Sequence, residues 1–323
     1  MHLLLIALAA AYGSVCGLLV PRAVFRLAVE PEERWRARCP AGHEITGPAR
    51  GWLGPARCRE CAGDVLPAEV ATAGATLPAE VGPSAPGEKE PPPSDAGGPG
   101  ASALGAVPLD PSAPGAEAPH ASAAGEAPAA ADNPWPPRPG GRYGPAGALT
   151  AAAASLVCGG LAATTGARPE LALWLLLVPF LGVLTLVDLA VHRLPDVLTL
   201  PLPAAAIALL GAAALLPGNA GSWTGAVLGG LGLGAAYLVL FLIHPRGMGF
   251  GDVKLALTLG VALGWYGWPL LFAGAFAGFL FGALYGAGLL LTRRASRKTA
   301  LPFGPFMIAG TLLGLMLGGL GAA

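Results

Sequence analysis

A chain of 323 residues with 54% hydrophobic residues, 12% charged residues and no net charge lies outside the soluble globular norm. Fifteen of its nineteen acids fall between Glu30 and Asp132, and only Glu170, Asp188, Asp196 and Asp252 lie between Tyr143 and Ala323. A half-chain this poor in acid, built from runs of Leu, Ala, Val and Gly, excludes an ordinary soluble domain and implies a bundle of membrane spans, with no nucleic-acid partner expected.

The first apolar run, Leu3–Val20, is long enough to cross a bilayer. It has no basic lead-in, and Pro21 and Arg22 follow where a cleavage site would need small residues, so residues 1–28 read as a retained anchor. Residues 29–67 form a loop containing RARCPAGHE and ARCRECAGD. Within it Cys39, His43, Cys58 and Cys61 make a C-x3-H and a C-x2-C pair with fourteen residues between them. Two short ligand pairs joined by a loop suit tetrahedral zinc in a ribbon-like knuckle; the alternative is free cysteines beside a solvated histidine. Cys16 and Cys158 sit inside apolar runs and read as packing residues. Residues 68–142 are Ala, Pro, Gly and Ser with scattered acids, lack apolar periodicity, and read as a disordered tether without a catalytic role.

Residues 143–323 hold seven further expected spans: Ala146–Thr165, Leu171–Ala190, Val197–Leu216, Trp223–Ile243, Val253–Gly264, Pro269–Leu291 and Phe303–Leu320. The fold class is therefore an all-α polytopic membrane protein of about eight transmembrane helices, the sixth of them short. Eleven of nineteen Lys and Arg residues lie between Arg22 and Arg142, and Arg168 alone falls in a loop on the other side. The positive-inside rule then puts the large first loop in the cytoplasm and both termini outside, which suits an even number of spans.

Three of the four acids in this half fall at the cytoplasmic side. Asp196 follows Pro195 and suits a helix N-cap. Glu170 opens a helix at the opposite face, where the macrodipole favours it. Asp252, in HPRGMGFGDVKLALTLG, opens the short span. Asp188 has no structural excuse: it follows an unbroken apolar stretch and closes a helix, the end where the dipole disfavours an acid. Two carboxyls brought together share a proton; one then takes a proton from water while the other protonates or polarises an amide carbonyl. Gly247, Gly249 and Gly251 would let an extended substrate approach the backbone before Asp252, and Lys254 would snorkel to the interface or bias the pair.

GMGFGDVKLALTLG resembles the G-x-G-D-x-K-L motif of the type IV prepilin peptidases, a group of membrane aspartic proteases. VDLAVHRLPDVLTLPL resembles that family's other signature, LPFGPFMIAG its last-span segment, and AYGSVCGLLVPRAVFRL its first span. The resemblance implies that Asp188 and Asp252 are the catalytic pair and that Asp196 is structural. It implies removal of a basic leader from prepilin or pseudopilin precursors at the cytoplasmic face of the inner membrane, in the company of pilus or secretion assembly machinery. It also implies a possible second activity, N-methylation of the new amino terminus with S-adenosylmethionine. Two departures stand out: CPAG places Gly42 where the family's first pair has its second cysteine, leaving His43 to complete the set, and the Ala/Pro tether is outside the usual pattern. A membrane transporter with the aspartates as ion sites, or a non-catalytic assembly scaffold, are the rival readings.

Overall fold

The structure, a computed structural model, describes residues 1–30, 33–63, 135, 138, 140–245, 247–292 and 301–322. Among these residues the chain is helical, with isolated bridges and no extended strand. A long α1 (His2–Leu19) runs into α2 (Pro21–Leu27); short turns α3 (Pro48–Gly51) and α4 (Arg59–Gly63) belong to the Cys/His loop. The remaining helices are α5 (Gly147–Thr165), α6 (Glu170–Val191), α7 (Asp196–Thr199), α8 (Pro201–Ala214), α9 (Trp223–Ile243), α10 (Phe250–Gly264), α11 (Trp268–Leu291) and α12 (Gly304–Gly321).

Local chemistry explains most of these ends. Ser222 caps α9 by accepting the Gly225 N–H at 3.2 Å. Proline, which lacks an N–H and has φ preset for a helix, stands in the first turn of α2, α8, α11 and α12. At the end of α6, His192 takes the left-handed conformation (φ 51°) and donates its N–H to the Asp188 carbonyl at 2.9 Å, so the chain turns off just after Asp188.

Among the described residues, seven helices are long and apolar enough to cross a membrane, counting α7 and α8 as one run from Asp196 to Ala214. The sixth expected span, Val253–Gly264, is not among them. The helix α10 has 15 residues, which at 1.5 Å per residue is about 22 Å against a hydrocarbon core of about 30 Å. It tolerates that length because it is enclosed by protein: α7, α8, α9, α11 and α12 all pack on it, and Val253, Leu255, Ala256 and every residue from Thr258 to Gly264 are buried.

Small residues set how closely the helices meet. A methyl on Gly225 would come within 2.7 Å of the Gly264 carbonyl oxygen, and one on Gly229 within 2.7 Å of that of Gly260, so α9 and α10 touch backbone to backbone. The same device joins α1 to α5, where Gly17 lies against Thr150 and the Thr150 hydroxyl donates to the Gly17 carbonyl at 2.6 Å. At the end of the bundle away from the Cys/His loop, Glu170 is fully buried and accepts the Ala220 N–H at 3.2 Å, which matches its expected place at a helix start.

The proposed tether lies almost wholly outside the described residues, but its end is corrected. Gly140 and Gly141 make a turn with φ of 75° and 67°. The Cys58 N–H donates to the Gly141 carbonyl at 2.8 Å, and the Tyr143 N–H donates to that of Ala56 at 2.9 Å. Residues 140–143 are thus part of the Cys/His module. A side chain at Gly141 would fall 2.6 Å from the Cys58 carbonyl oxygen, which is why the turn uses glycine there.

Candidate active site

Asp188 lies in the last turn of α6 and Asp252 in the first turn of α10, and both are buried. The two acids share a neighbour although 64 positions of sequence separate them: Leu194 packs on Gly251, next to Asp252, and on Gly304, which touches Asp188. The sequence-level difficulty with Asp188, an acid at the wrong end of a helix, is resolved from outside α6. The Gly304 N–H, at the start of α12, donates to Asp188 Oδ2 at 3.0 Å. The free amides and positive dipole end of α12 replace the unfavourable end of α6 as the nearest helix terminus to that oxygen.

Leu194, from the LPD element, fixes this geometry. It is buried between the two sites: a methyl on Gly251 would meet its Cβ at 3.0 Å, and one on Gly304 would meet its Cδ2 at 3.7 Å. Leu194 therefore wedges the first turn of α10 against the first turn of α12, and through Gly304 against Asp188.

The glycine loop and its lysine serve roles other than those expected from the sequence. The space at Gly251 is taken by Leu194, so the close backbone approach there is intramolecular. Gly247 packs on the His244 ring, and Gly249 is the N-cap of α10, its carbonyl accepting the Asp252 N–H at 3.1 Å. Only Gly249 keeps ordinary space beside a carboxyl, 3.7 Å from Asp252 Oδ2 for an added methyl. Lys254 lies within α10, two residues beyond Asp252, and so faces roughly 200° away from it. Its Nζ donates to Asp196 Oδ1 at 2.6 Å and sits 5.0 Å from the Phe250 ring. Asp196 consequently caps no helix with its side chain; it ties α7 to α10 through this ion pair.

A cleft of about 160 Å³ is lined by Val187, Arg193, Asp196, Glu33 and Trp35 among others; neither Asp188 nor Asp252 is in its lining. It joins the chain leaving α2 to the α6–α7 turn. Val24 and Leu27 of α2 pack on Val183 and Val187 of α6 just beneath it, so the Cys/His module and the aspartates lie at the same end of the bundle.

In the module, Cys39, His43, Cys58 and Cys61 converge, with their ligand atoms all within 4.8 Å of one another. His43 Nδ1 lies 3.2 Å from Cys61 Sγ and 3.7 Å from both Cys39 Sγ and Cys58 Sγ, and Cys39 Sγ is 3.8 Å from Cys61 Sγ. Tetrahedral zinc, with bonds of about 2.0–2.3 Å, has ligand–ligand edges of about 3.4–3.8 Å, so the set could bind zinc. The other ring nitrogen, His43 Nε2, faces Glu60 Oε2 at 3.5 Å, the outer carboxylate that orients a ligating imidazole. Burial alone would raise the Cys58 thiol, but hydrogen bonds from Cys61, Cys39 and the Glu60 backbone outweigh it and bring it down to about 7. Burial and the neighbouring thiols push Cys61 up to about 12. Crowded thiols divide a charge this way until a cation removes their protons.

With the geometry in place, known proteins can be compared. Residues 175–287 match the type IV leader peptidase family. That segment contains Asp188, Asp252 and the motifs around them, so the family resemblance read from the sequence is borne out. Three similar proteins are called prepilin leader peptidase/N-methyltransferase. The Aeromonas salmonicida (strain A449) protein is 36% identical over 155 residues, 45% of this chain and 48% of its own. The Pectobacterium carotovorum subsp. carotovorum protein is 36% identical over 165 residues, 47% and 54%. The Pseudomonas aeruginosa protein is 33% identical over 175 residues, 53% and 58%. The chain spans about half the length of these curated relatives. No solved structure matches it.

Sequence reasoning missed Gly304 and Leu194. Both lie in quoted motif segments, LPFGPF and RLPD, but nothing local marks Gly304 as the amide partner of a residue 116 positions earlier.

Proposed function

We propose that the chain is a membrane aspartic endopeptidase that cleaves the basic leader from type IV prepilin or pseudopilin precursors at the cytoplasmic face of the inner membrane. The observation that carries this reading is a buried pair of carboxyls, contributed by α6 and α10, inside a segment that matches the leader peptidases. One carboxylate takes a proton from water, and the hydroxide adds to the scissile carbonyl carbon. The other carboxyl hands its proton to the leaving amine as the C–N bond breaks. Asp188 is held through Oδ2 by Gly304, which leaves Oδ1 for water or substrate.

Side and substrate follow from charge. The aspartates share an end of the bundle with the Cys/His module and with Arg193 and Lys254, whereas Arg168 lies at the other end, hydrogen-bonded to the Gly319 carbonyl at 3.0 Å. The positive-inside rule puts the aspartate end in the cytoplasm. In this reading α10 completes an eight-helix arrangement without spanning alone. The cleft beside Val187, with Glu33 and Asp196 in its lining, is where a basic leader would lie. Cys39, His43, Cys58 and Cys61 hold a structural zinc, which fixes the loop and takes no part in hydrolysis. In the relatives' names cleavage is paired with N-methyltransferase; here the same substrate end would receive a methyl group from S-adenosylmethionine.

The test is processing of a prepilin precursor in membranes by Asp188→Asn and Asp252→Asn, each compared at equal membrane level. Loss of one member of an acid–base pair lowers cleavage by about 10²–10⁴-fold. Full processing by either variant refutes the aspartic mechanism; lost ion-coupled flux with intact processing would favour a transporter. Mass spectrometry of the product reads both the cut and any added methyl group.

A further inference from the structure

The mechanism above leaves one buried polar side chain at the site unused. Tyr237 lies on α9, and the helix register places it. The α9–α10 seam is antiparallel, with Gly225 against Gly264, Gly229 against Gly260 and Gly234 against Leu257. The next turn along that seam puts Tyr237 level with Asp252 and Val253. Beyond it, Phe241 meets Phe250 at 5.4 Å between ring centroids, which confirms the register on the far side.

The Tyr237 ring is clamped on its other face. It stacks on Phe279 of α11 at 5.6 Å and lies 6.3 Å from Phe303, and those two rings are 5.1 Å apart. Phe303 immediately precedes Gly304, the donor to Asp188. Tyr237 is thus fixed between the backbone that presents Asp252 and the backbone that holds Asp188. Tyr237 is 2% exposed as a residue and its hydroxyl makes no hydrogen bond among the described residues, yet that oxygen is not one of the fully enclosed polar atoms, so a ligand can reach it.

We propose that Tyr237 is a further catalytic residue, whose phenol donates a hydrogen bond to the scissile carbonyl oxygen as water adds to the carbon. This rests on the peptidase reading above. The water oxygen forms the new C–O bond, and the π pair moves onto the carbonyl oxygen. The phenol keeps its proton and stabilises that negative charge, and the aspartates carry the proton from water to the leaving nitrogen. A rigid donor aimed where charge develops is effective because the site needs no reorganisation.

The experiment is steady-state cleavage of a precursor peptide by the purified full-length protein in nanodiscs. Tyr237→Phe keeps the ring cluster, so thermal unfolding stays at the wild-type temperature. Loss of one such donor lowers kcat by about 10²–10³-fold with KM little changed. Replacing Tyr237 by 3-fluorotyrosine, which retains ring and hydroxyl, restores kcat to within a few-fold of wild type. Wild-type kcat in Tyr237→Phe, or an equal loss with 3-fluorotyrosine, overturns the proposal while leaving the aspartates untouched. Asp188→Asn run beside it separates the two levels: undiminished cleavage by that variant refutes the peptidase mechanism, and this inference with it.

Discussion

Gly304→Ala puts the geometry of Asp188 to its most direct test. The new methyl would stand 2.8 Å from Asp188 Oδ2 and 3.4 Å from its Cγ, closer than side-chain carbons approach such atoms. Gly304 has no positive φ, so space is the whole difficulty. Either the carboxyl rotates away or the first turn of α12 withdraws, and both stretch the 3.0 Å bond from the Gly304 N–H. A hydrogen bond to a charged group contributes about 1.5–3 kcal/mol, which at 1.36 kcal/mol per decade is about 10- to 150-fold in kcat/KM. Stability falls as well, because the same bond ties α6 to α12 in the folded state and the better helix propensity of alanine, up to about 1 kcal/mol, offsets only part of its loss. Cleavage of a precursor reporter and a thermal melt of the same preparation give both quantities. Wild-type kcat/KM at an unchanged melting temperature would show that α12 does not position Asp188.

Two further outcomes concern the parts that support the site. Purified protein carries about one zinc per chain by elemental analysis, and Cys58→Ser loses it; because the ligands bind as thiolates and neutral imidazole, acidification releases the metal and rising pH restores it. Zinc retained at full occupancy in Cys58→Ser would remove the cluster from consideration. Gly229→Val overfills the α9–α10 seam, where a methyl already comes within 2.7 Å of the Gly260 carbonyl oxygen. It costs about 1–3 kcal/mol in detergent unfolding and reduces cleavage, because α10 carries Asp252; unchanged stability would mean the helices part more freely than their packing implies.

Much of this protein is written locally. The long apolar runs mark seven of the eight expected spans, because a bilayer demands about twenty apolar residues and an internally satisfied backbone wherever a chain crosses it. The knuckle spacing of Cys39, His43, Cys58 and Cys61 announces the cluster they form because each pair closes over a few residues. Asp188 was conspicuous because an acid ending an apolar helix is costly unless something distant compensates.

What compensates is decided only in three dimensions. Lipid and leucine are alike apolar, so hydropathy cannot say which face of a span meets another helix; backbone contacts between small residues decide that. The glycines of α9 and α10 bury a helix too short to cross alone, Leu194 wedges α10 against α12, and Lys254 is turned away from the acid beside it toward Asp196. Gly304 reaches Asp188 across 116 positions for the same reason. The acids themselves were visible in the sequence, but their pairing and their donor depend on close packing of the helices.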